Sequence, residues 1–150
     1  MTQKKGLHPK NKFNKGYNFD DLLIKNPLVK EFILQNKFGT TTIDFSNPKA
    51  VKELNKALLF TFQKLSVWDF PDKNLCPPIP GRLDYIHHLA DLISSEKDIR
   101  ILDIGTGATC IYPLLGVAEY NWNFVGTDID LDSLDSAQDI IDDNHLEAKI

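Results

Sequence analysis

A glycine-rich turn followed by a distant acid is the part of this sequence best suited to bind a ligand. Gly105, Thr106 and Gly107 follow the apolar run at 99–104 and precede a helix-forming segment. Glycines at such a strand-to-helix turn let the backbone approach a ligand at the carboxyl edge of a sheet. Asp128 lies 21 residues after Gly107, at the end of the next predicted strand, where a carboxylate can accept both hydroxyls of a ribose. Turn and acid together indicate a ligand that contains adenosine.

Two classes of adenosine-containing ligand compete for this turn. A dinucleotide-binding fingerprint has a third glycine at the position where Cys110 stands. Asp103, two residues before the first glycine, instead suits a ligand with a cationic amino group, such as S-adenosylmethionine, which has no phosphate to place at the helix N-terminus. The residues therefore favour a methyl donor. A dinucleotide-dependent oxidoreductase and a tight turn that binds no ligand stay as alternatives.

The segments around the turn alternate between strands and helices. The spacing of apolar residues predicts strands at 99–104 and 123–128, helices at about 109–120 and 131–141, and the start of a third strand at 147–150. This β-α-β-α-β order is the first half of a doubly wound sheet, so the predicted fold class is α/β.

The preceding part of the chain is predicted to be mainly helical. Helices are expected at 20–25, 27–35, 47–65 and 83–94, and a short strand is possible at 41–45. In two of the helices an asparagine cap precedes a proline at the first helical position, at Asn26-Pro27 and Asn47-Pro48.

Three regions follow from these elements. Residues 1–65 form a basic helical module, and residues 66–81 form a stiff connector that holds four prolines. Residues 82–150 form the N-terminal half of the ligand-binding α/β domain.

Charge divides the chain between these regions. Residues 1–64 contain 12 lysines and five acidic residues, a net charge of +7, whereas residues 65–150 carry a net charge of −11. Such an asymmetry indicates a segment that meets a polyanion beside a separate acidic unit. Five lysines precede the first acid and alternate with aromatic residues, so single-stranded RNA or DNA is a reasonable partner. A solvated chain end is the alternative. The lysines are Lys4, Lys5, Lys10, Lys12 and Lys15.

Composition excludes several other classes of protein. With 42% apolar and 25% charged residues the chain is typical of one globular domain, and no apolar run approaches the ~18 residues of a membrane helix. No apolar stretch follows the first lysines, so a secretory signal is not expected. Two cysteines are too few for a disulfide framework, which favours the cytoplasm. The cysteines and histidines lack the spacing of metal ligands, so no metal is expected.

Two longer stretches resemble a known enzyme family. LCPPIPGRLDYIHH at 75–88 and DIGTGATCIYPLLG at 103–116 are similar to the bacterial 23S rRNA (adenine-1618-N6)-methyltransferases. Eukaryotic relatives of that family methylate an adenine in a spliceosomal small nuclear RNA. LHPKN at 7–11 and TIDF at 42–45 resemble the same family, so the likeness covers nearly the whole chain.

The resemblance implies a Rossmann-like class I methyltransferase fold with S-adenosylmethionine as cofactor. Arg82 matches the arginine that contacts the carboxylate of the donor, Gly105 a donor-contacting glycine, and Asp128 the ribose-binding acid. The family's basic N-terminal module helps to hold structured RNA, which supports 23S rRNA as the partner of the lysines. The expected donor-binding set is Arg82, Asp103, Gly105, Thr106, Gly107 and Asp128.

The family's catalytic motif, Asn/Asp-Pro-Pro-Phe/Tyr, follows the fourth strand, so we expect it beyond Ile150. The CPPI stretch at 76–79 is similar only in part, because it precedes the first sheet strand and lacks both the amide and the aromatic ring. We therefore expect the N-terminal half of an enzyme that transfers a methyl group to the N6 amine of one adenine in 23S rRNA. A non-catalytic RNA-binding fragment is the alternative.

Overall fold

A short antiparallel hairpin follows the first helical turns of the chain. The computed structural model describes residues 6–93 and 98–150. Helix α1 (Phe19–Lys25) begins after Asn18, and a 3-10 helix follows at Pro27–Phe32. Strand β1 (Ile33–Gln35) then pairs with β2 (Thr41–Ile43), so the possible strand at 41–45 is confirmed in its first three residues.

The helix predicted at 27–35 is wrong in type and in length. The 3-10 helix ends at Phe32, and the last three residues of the predicted helix form β1. Asn26 does not cap this helix with its side chain. Its Nδ2 donates instead to the carbonyl and the carboxylate of Glu53, at 3.1 and 2.8 Å. Glu53, distant in sequence, thus holds the Asn26 amide in an orientation that does not cap the helix, and the 41–43 segment offers the chain a strand neighbour.

Two longer helices form the middle of the chain. Asn47 accepts hydrogen bonds from the first-turn N–H groups of α2 (Pro48–Phe62), as its cap-and-proline pattern predicts. Helix α3 (Ile79–Leu92) begins four residues before the predicted start. The early start is possible because Asn55 Oδ1 accepts the buried N–H of Ile79 at 2.9 Å. The predicted last residue of this helix, at position 94, lies outside the described residues.

A pair of parallel strands carries the glycine-rich turn. Strand β3 (Arg100–Ile104) leads through the turn to α4 (Ile111–Tyr120), and β4 (Asn123–Thr127) returns beside β3 and leads to α5 (Leu131–Asp143). On one face, Phe124 of β4 packs against Gly116 of α4. The opposite face carries the exposed side chains of Leu102, Ile104 and Val125.

The third strand predicted at 147–150 is not formed. This segment is a turn in which the N–H groups of Lys149 and Ile150 donate to the carbonyl of Leu146, at 2.8 and 3.0 Å. The Lys149 carbonyl nevertheless accepts the N–H of Phe124 at 2.7 Å, so the segment reaches the outer edge of β4. The segment therefore forms hydrogen bonds within its own turn, and of a strand pairing with β4 only the bond from Phe124 is present.

The N-terminal arm is docked on α3. The buried ring of His8 donates from Nε2 to Asp91 at 2.8 Å, because its Nδ1 accepts the N–H of Lys10 at 3.1 Å. The backbone N–H of His8 and the side chain of Asn11 both donate to Asp84. Phe13, one of the aromatic residues that alternate with the lysines, is buried against Phe62 of α2, with ring centroids 5.1 Å apart, so it is not available to stack on a base. The described part of the arm is therefore fixed structure.

Two further properties concern only the described residues, 6–93 and 98–150. No helix among them is both long and apolar enough to cross a bilayer. No group of three or more histidine, cysteine or acidic side chains among them is placed to hold a metal ion.

The contact between α4 and β4 predicts the effect of a single methyl group. A Cβ added to Gly116 would lie 2.4 Å from Cζ of Phe124, whereas a Cβ added to the exposed Gly81 of α3 would meet no atom within 4 Å. We expect Gly116→Ala to lower the free energy of unfolding by about 1–3 kcal/mol through overpacking. Gly81→Ala should be neutral or raise it by up to about 1 kcal/mol, because alanine favours a helix. Urea unfolding of both variants measures the difference, and equal effects would contradict the packing shown here.

Candidate functional site

The end of β4 holds the glycine-rich turn in place. The carbonyl of Thr127 accepts the N–H groups of Gly105 and Thr106, at 2.7 and 2.9 Å. Asp128, the next residue, accepts the N–H of Gly107 through Oδ2 at 2.9 Å. The turn and the distant acid are thus in direct contact.

The carboxylate of Asp128 is oriented by two backbone groups. Its Oδ1 accepts the N–H of Asp130 at 3.0 Å while Oδ2 accepts that of Gly107. These two hydrogen bonds hold the pKa of Asp128 below its ordinary value, and the bond from the N–H of Asp130 has the larger effect. A carboxylate has about four acceptor positions, so two remain for a ligand with paired hydroxyls.

The glycines leave open space above the turn. Gly105 and Gly107 have φ angles of +79° and +66°, a backbone region that residues with a side chain rarely adopt. A Cβ added at either position would meet no atom within 4 Å. The open side of the turn can therefore receive a ligand against bare backbone.

Asp103 is the unusual acid of the site. Its Oδ2 is buried and has no hydrogen-bond partner among the residues that the structure describes. Burial raises the pKa of this carboxyl above its ordinary value. An unpaired buried acceptor is costly, and a cationic donor from a ligand would remove that cost. The arrangement fits a ligand ammonium group.

Close packing fixes the remaining residues of the turn. A Cβ on Gly126 would come within 3.1 Å of Thr106, so this glycine lets the turn approach β4. Cys110 has a left-handed φ of +48°, and burial raises the pKa of its thiol to about 12. Such a thiol is not a nucleophile. Gly126 was not singled out from the sequence, although a glycine inside a strand is a signal of close approach.

Two side chains from distant segments bind the carbonyls at the end of the turn. The buried Trp68 of the connector donates from Nε1 to the carbonyl of Thr109 at 2.9 Å. Ser136 of α5 donates to the carbonyl of Ala108 at 3.0 Å. Sequence analysis did not find these contacts, because nothing in the local pattern shows which segments meet in space.

Arg82 lies beside the first turn of α4. Its guanidinium is 5.8 Å from the ring centroid of Tyr112, and Tyr85 packs on the same ring at 5.1 Å. Tyr112 is the second residue of α4 and lies five residues after Gly107, so Arg82 lies near the end of α4 that the turn leads into. Sequence analysis did not single out Tyr112.

The predicted RNA-binding lysines differ in their surroundings. Lys10 pairs with Asp91 at 3.1 Å, and Lys12 pairs with Glu119. Lys15 is exposed and forms no ion pair with any described residue. Lys4 and Lys5 lie outside the described residues. Part of the basic charge of the arm is thus already neutralised within the chain.

Comparison with known proteins gives consistent matches. A family model described as RNA methyltransferase matches residues 1–150. The ribosomal RNA large subunit methyltransferase F of Klebsiella pneumoniae is 52% identical over 148 residues, which are 95% of this chain and 49% of that protein. The chain therefore spans about half the length of the curated relatives that it matches.

Solved structures match the fold closely. The N-terminal domain of human METTL16 in complex with SAH is 36% identical, with a TM-score of 0.89 over 97% of this chain and 58% of that one. The human METTL16 catalytic domain in complex with the MAT2A 3′UTR hairpin 6 is 37% identical, with a TM-score of 0.89 over 97% of this chain and 52% of that one. The fold is that of a class I methyltransferase, of which this chain shows the first two sheet strands.

The two acids of the site should respond to pH in opposite ways. The folded pKa of Asp103 is raised, so its contribution to stability is present below the ordinary value of 3.8 and is lost as pH rises through the folded pKa. The folded pKa of Asp128 is lowered, so its contribution is present above 3.8 and is lost as pH falls through the folded pKa. Asp103→Asn should therefore gain stability relative to the parent as pH rises, and Asp128→Asn should lose it.

Urea unfolding from neutral pH down towards the ordinary aspartate pKa measures these two slopes. The sign of each slope is independent of any constant cost of the new amide. Slopes of the same sign for the two variants would contradict the assigned environments.

Proposed function

This chain belongs to the RNA methyltransferase family, and from that premise we propose that it forms the donor-binding half of an S-adenosylmethionine-dependent enzyme that methylates an adenine N6 amine in 23S rRNA. The observation that carries the proposal is the buried Oδ2 of Asp103, which has no partner among the described residues and lies in β3 just before the turn that Asp128 holds. Asp103 can accept an ammonium group and Asp128 can accept ribose hydroxyls, and the open backbone of the turn at 105–107 lies between them. A dinucleotide has no amino group at the corresponding position.

Each residue of the site has a separate task in the proposal. Asp103 accepts the donor's ammonium group, Asp128 accepts the ribose hydroxyls, and the guanidinium of Arg82 binds the donor's carboxylate in a bidentate pair. Gly105 and Gly107 let the backbone lie against the ligand. When bound, S-adenosylmethionine supplies an electrophilic methyl group on a sulfonium centre.

The contribution of this chain to the reaction is positioning. Contacts at both the amino-acid end and the ribose of the donor hold it in one orientation. Orientation of the reactants is a major part of catalysis for such a transfer. The Asn/Asp-Pro-Pro-Phe/Tyr motif that the resemblance implies for the adenine amine is not among residues 1–150, so no residue of this chain is assigned to hold that amine. METTL16 domains with SAH and with a 3′UTR hairpin are similar in fold to this chain, which supports both the donor and the RNA in the proposal.

The RNA surface and the location of the protein belong to the same proposal. Lys4, Lys5 and Lys15 would contact phosphates, as would Lys10 and Lys12 to the extent that their acidic partners allow. Both cysteines of the chain are free thiols, which favours the reducing cytoplasm.

A ligand that lacks the amino acid tests the task of Asp103. S-adenosylhomocysteine carries both the ribose and the amino acid, whereas 5′-methylthioadenosine carries only the ribose. Asp103→Asn should weaken binding of S-adenosylhomocysteine by on the order of 1–3 kcal/mol, the effect of losing a charged hydrogen bond, and leave 5′-methylthioadenosine unchanged. Asp128→Asn should weaken both ligands. Isothermal titration calorimetry measures all four affinities.

The exposed Asp139 of α5 provides the matched control, and Asp139→Asn should change neither affinity. An equal loss of affinity for both ligands in Asp103→Asn would mean that this acid affects binding only through the conformation of the turn. Failure of the parent chain to bind S-adenosylhomocysteine would refute the proposal.

The charge on the arm predicts how RNA affinity depends on salt. Each lysine that neutralises a phosphate steepens the slope of log K against log salt by on the order of 0.7–0.9. Lys15→Gln should flatten the slope by about that amount for a single-stranded RNA. Lys73 is a matched control because it pairs with Asp132 in the acidic half of the chain, so Lys73→Gln should leave the slope unchanged. Equal slopes for the parent and Lys15→Gln would remove Lys15 from the RNA surface.

A further inference from the structure

The tip of the β1–β2 hairpin holds an aromatic ring out into solvent. Phe38 is 79% exposed, although a phenylalanine side chain in a folded protein usually packs against other residues. The turn that carries it, Asn36–Thr40, lies outside the donor site. Neither fold nor donor binding explains the exposure of this ring.

The turn is rigid rather than frayed. The Asn36 side chain accepts the N–H groups of Phe38 and Thr40, at 2.9 and 3.0 Å. The backbone of Asn36 exchanges further hydrogen bonds with Thr40 and Gly39, and Gly39 takes a left-handed φ of +75°. The backbone that carries the ring is therefore held in one conformation, which lowers the entropy cost of binding a partner.

A cation accompanies the ring. The ammonium of Lys37 lies 5.0 Å from the ring centroid of Phe38. Both side chains are exposed, and Lys37 forms no ion pair with the residues that the structure describes. A flat apolar face beside an unpaired ammonium group matches a nucleotide, whose base stacks while its phosphate meets the cation.

We propose that Phe38 stacks on an unpaired base of the RNA substrate while Lys37 contacts an adjoining phosphate. This inference rests on the proposed function, since it deepens how the same enzyme recognises its RNA. It assigns to the N-terminal module a contact with single-stranded RNA, distinct from the lysines of the arm.

A cleft against the hairpin supports a nucleic acid as the occupant. Its lining includes Tyr17, Phe19 and Lys30, together with the acid Asp20 and Thr40 of the hairpin. A strand that stacks on Phe38 can thus continue past two further aromatic rings.

Tryptophan fluorescence tests the stacking directly. Trp68 and Trp122 are 1% and 6% exposed, so in Phe38→Trp the introduced indole provides the emission that iodide can quench. We expect single-stranded poly(A) to reduce that emission and to protect it from iodide, and a blunt-ended RNA duplex of equal length to do neither. Unchanged iodide quenching at saturating poly(A) would overturn the proposal.

Binding affinity gives the second measurement. Phe38→Ala should weaken poly(A) binding at least about fivefold, the loss expected for one stacked base, while Phe38→Trp keeps the affinity. Ile24→Ala is the matched control, because Ile24 is an apolar residue of α1 with 76% exposure, and it should bind as the parent does. Lys37→Gln should flatten the salt dependence without abolishing binding.

The remaining outcomes separate the two proposals. If the parent binds poly(A) and Phe38→Ala binds it equally well, the hairpin contact is wrong and the proposed function stands. If the parent binds S-adenosylhomocysteine but no RNA, both the contact and the RNA part of the proposed function are wrong. If Phe38→Ala instead alters self-association in sedimentation, the hairpin is a protein contact and the stacking proposal is overturned.

Discussion

The geometry of the site depends on the end of β4 more than on the glycines themselves. The glycines only permit the turn; the Thr127 carbonyl and the Asp128 carboxylate fix it by accepting three consecutive backbone N–H groups. Those acceptors have their positions only because β4 pairs in parallel with β3, with Ile104 opposite Thr127. The register of β4, the conformation of the glycine-rich turn and the position of Asp128 therefore depend on one another. A shift of β4 by one residue would remove the support of the turn and turn Asp128 away from it.

The lysines of the basic half, residues 1–64, fall into two groups according to whether they pair with an acid of residues 65–150. Lys10, Lys12 and Lys52 of the basic half each pair with acids of the other half, so part of the asymmetry holds the two halves together. Exposed ion pairs contribute little stability individually, whereas the buried His8 ring, bonded to Asp91, fixes how the arm docks. Lysines that form no ion pair with the described residues, including Lys15 and Lys37, are the ones available to the proposed RNA. Net charge by itself could not separate these two groups.

The sequence predicts those features whose cause is local. Asn47 caps α2 as expected because its acceptor and the N–H groups that it binds lie within three residues. The same pattern at Asn26 fails because Glu53, 27 residues away, takes its amide. The glycine-rich turn and Asp128 were found because a spacing encodes them. The unpaired oxygen of Asp103 and the bond from Trp68 could not be found, since burial and contact between distant segments have no local pattern.

Helix α3 gives the two proposed binding surfaces a common frame. Its first turn carries Arg82, beside the donor site, and two residues later Asp84 accepts the hydrogen bonds that hold the N-terminal arm. Arg82 and Asp84 are thus two residues apart on one helix, so the docking of the arm and the position of Arg82 depend on the same turns of α3. In the proposed function, an RNA held by the arm would be placed relative to the donor through this helix. The buried docking of His8 would then contribute to positioning as the donor site does, because transfer requires the two reactants to be held in one orientation relative to each other.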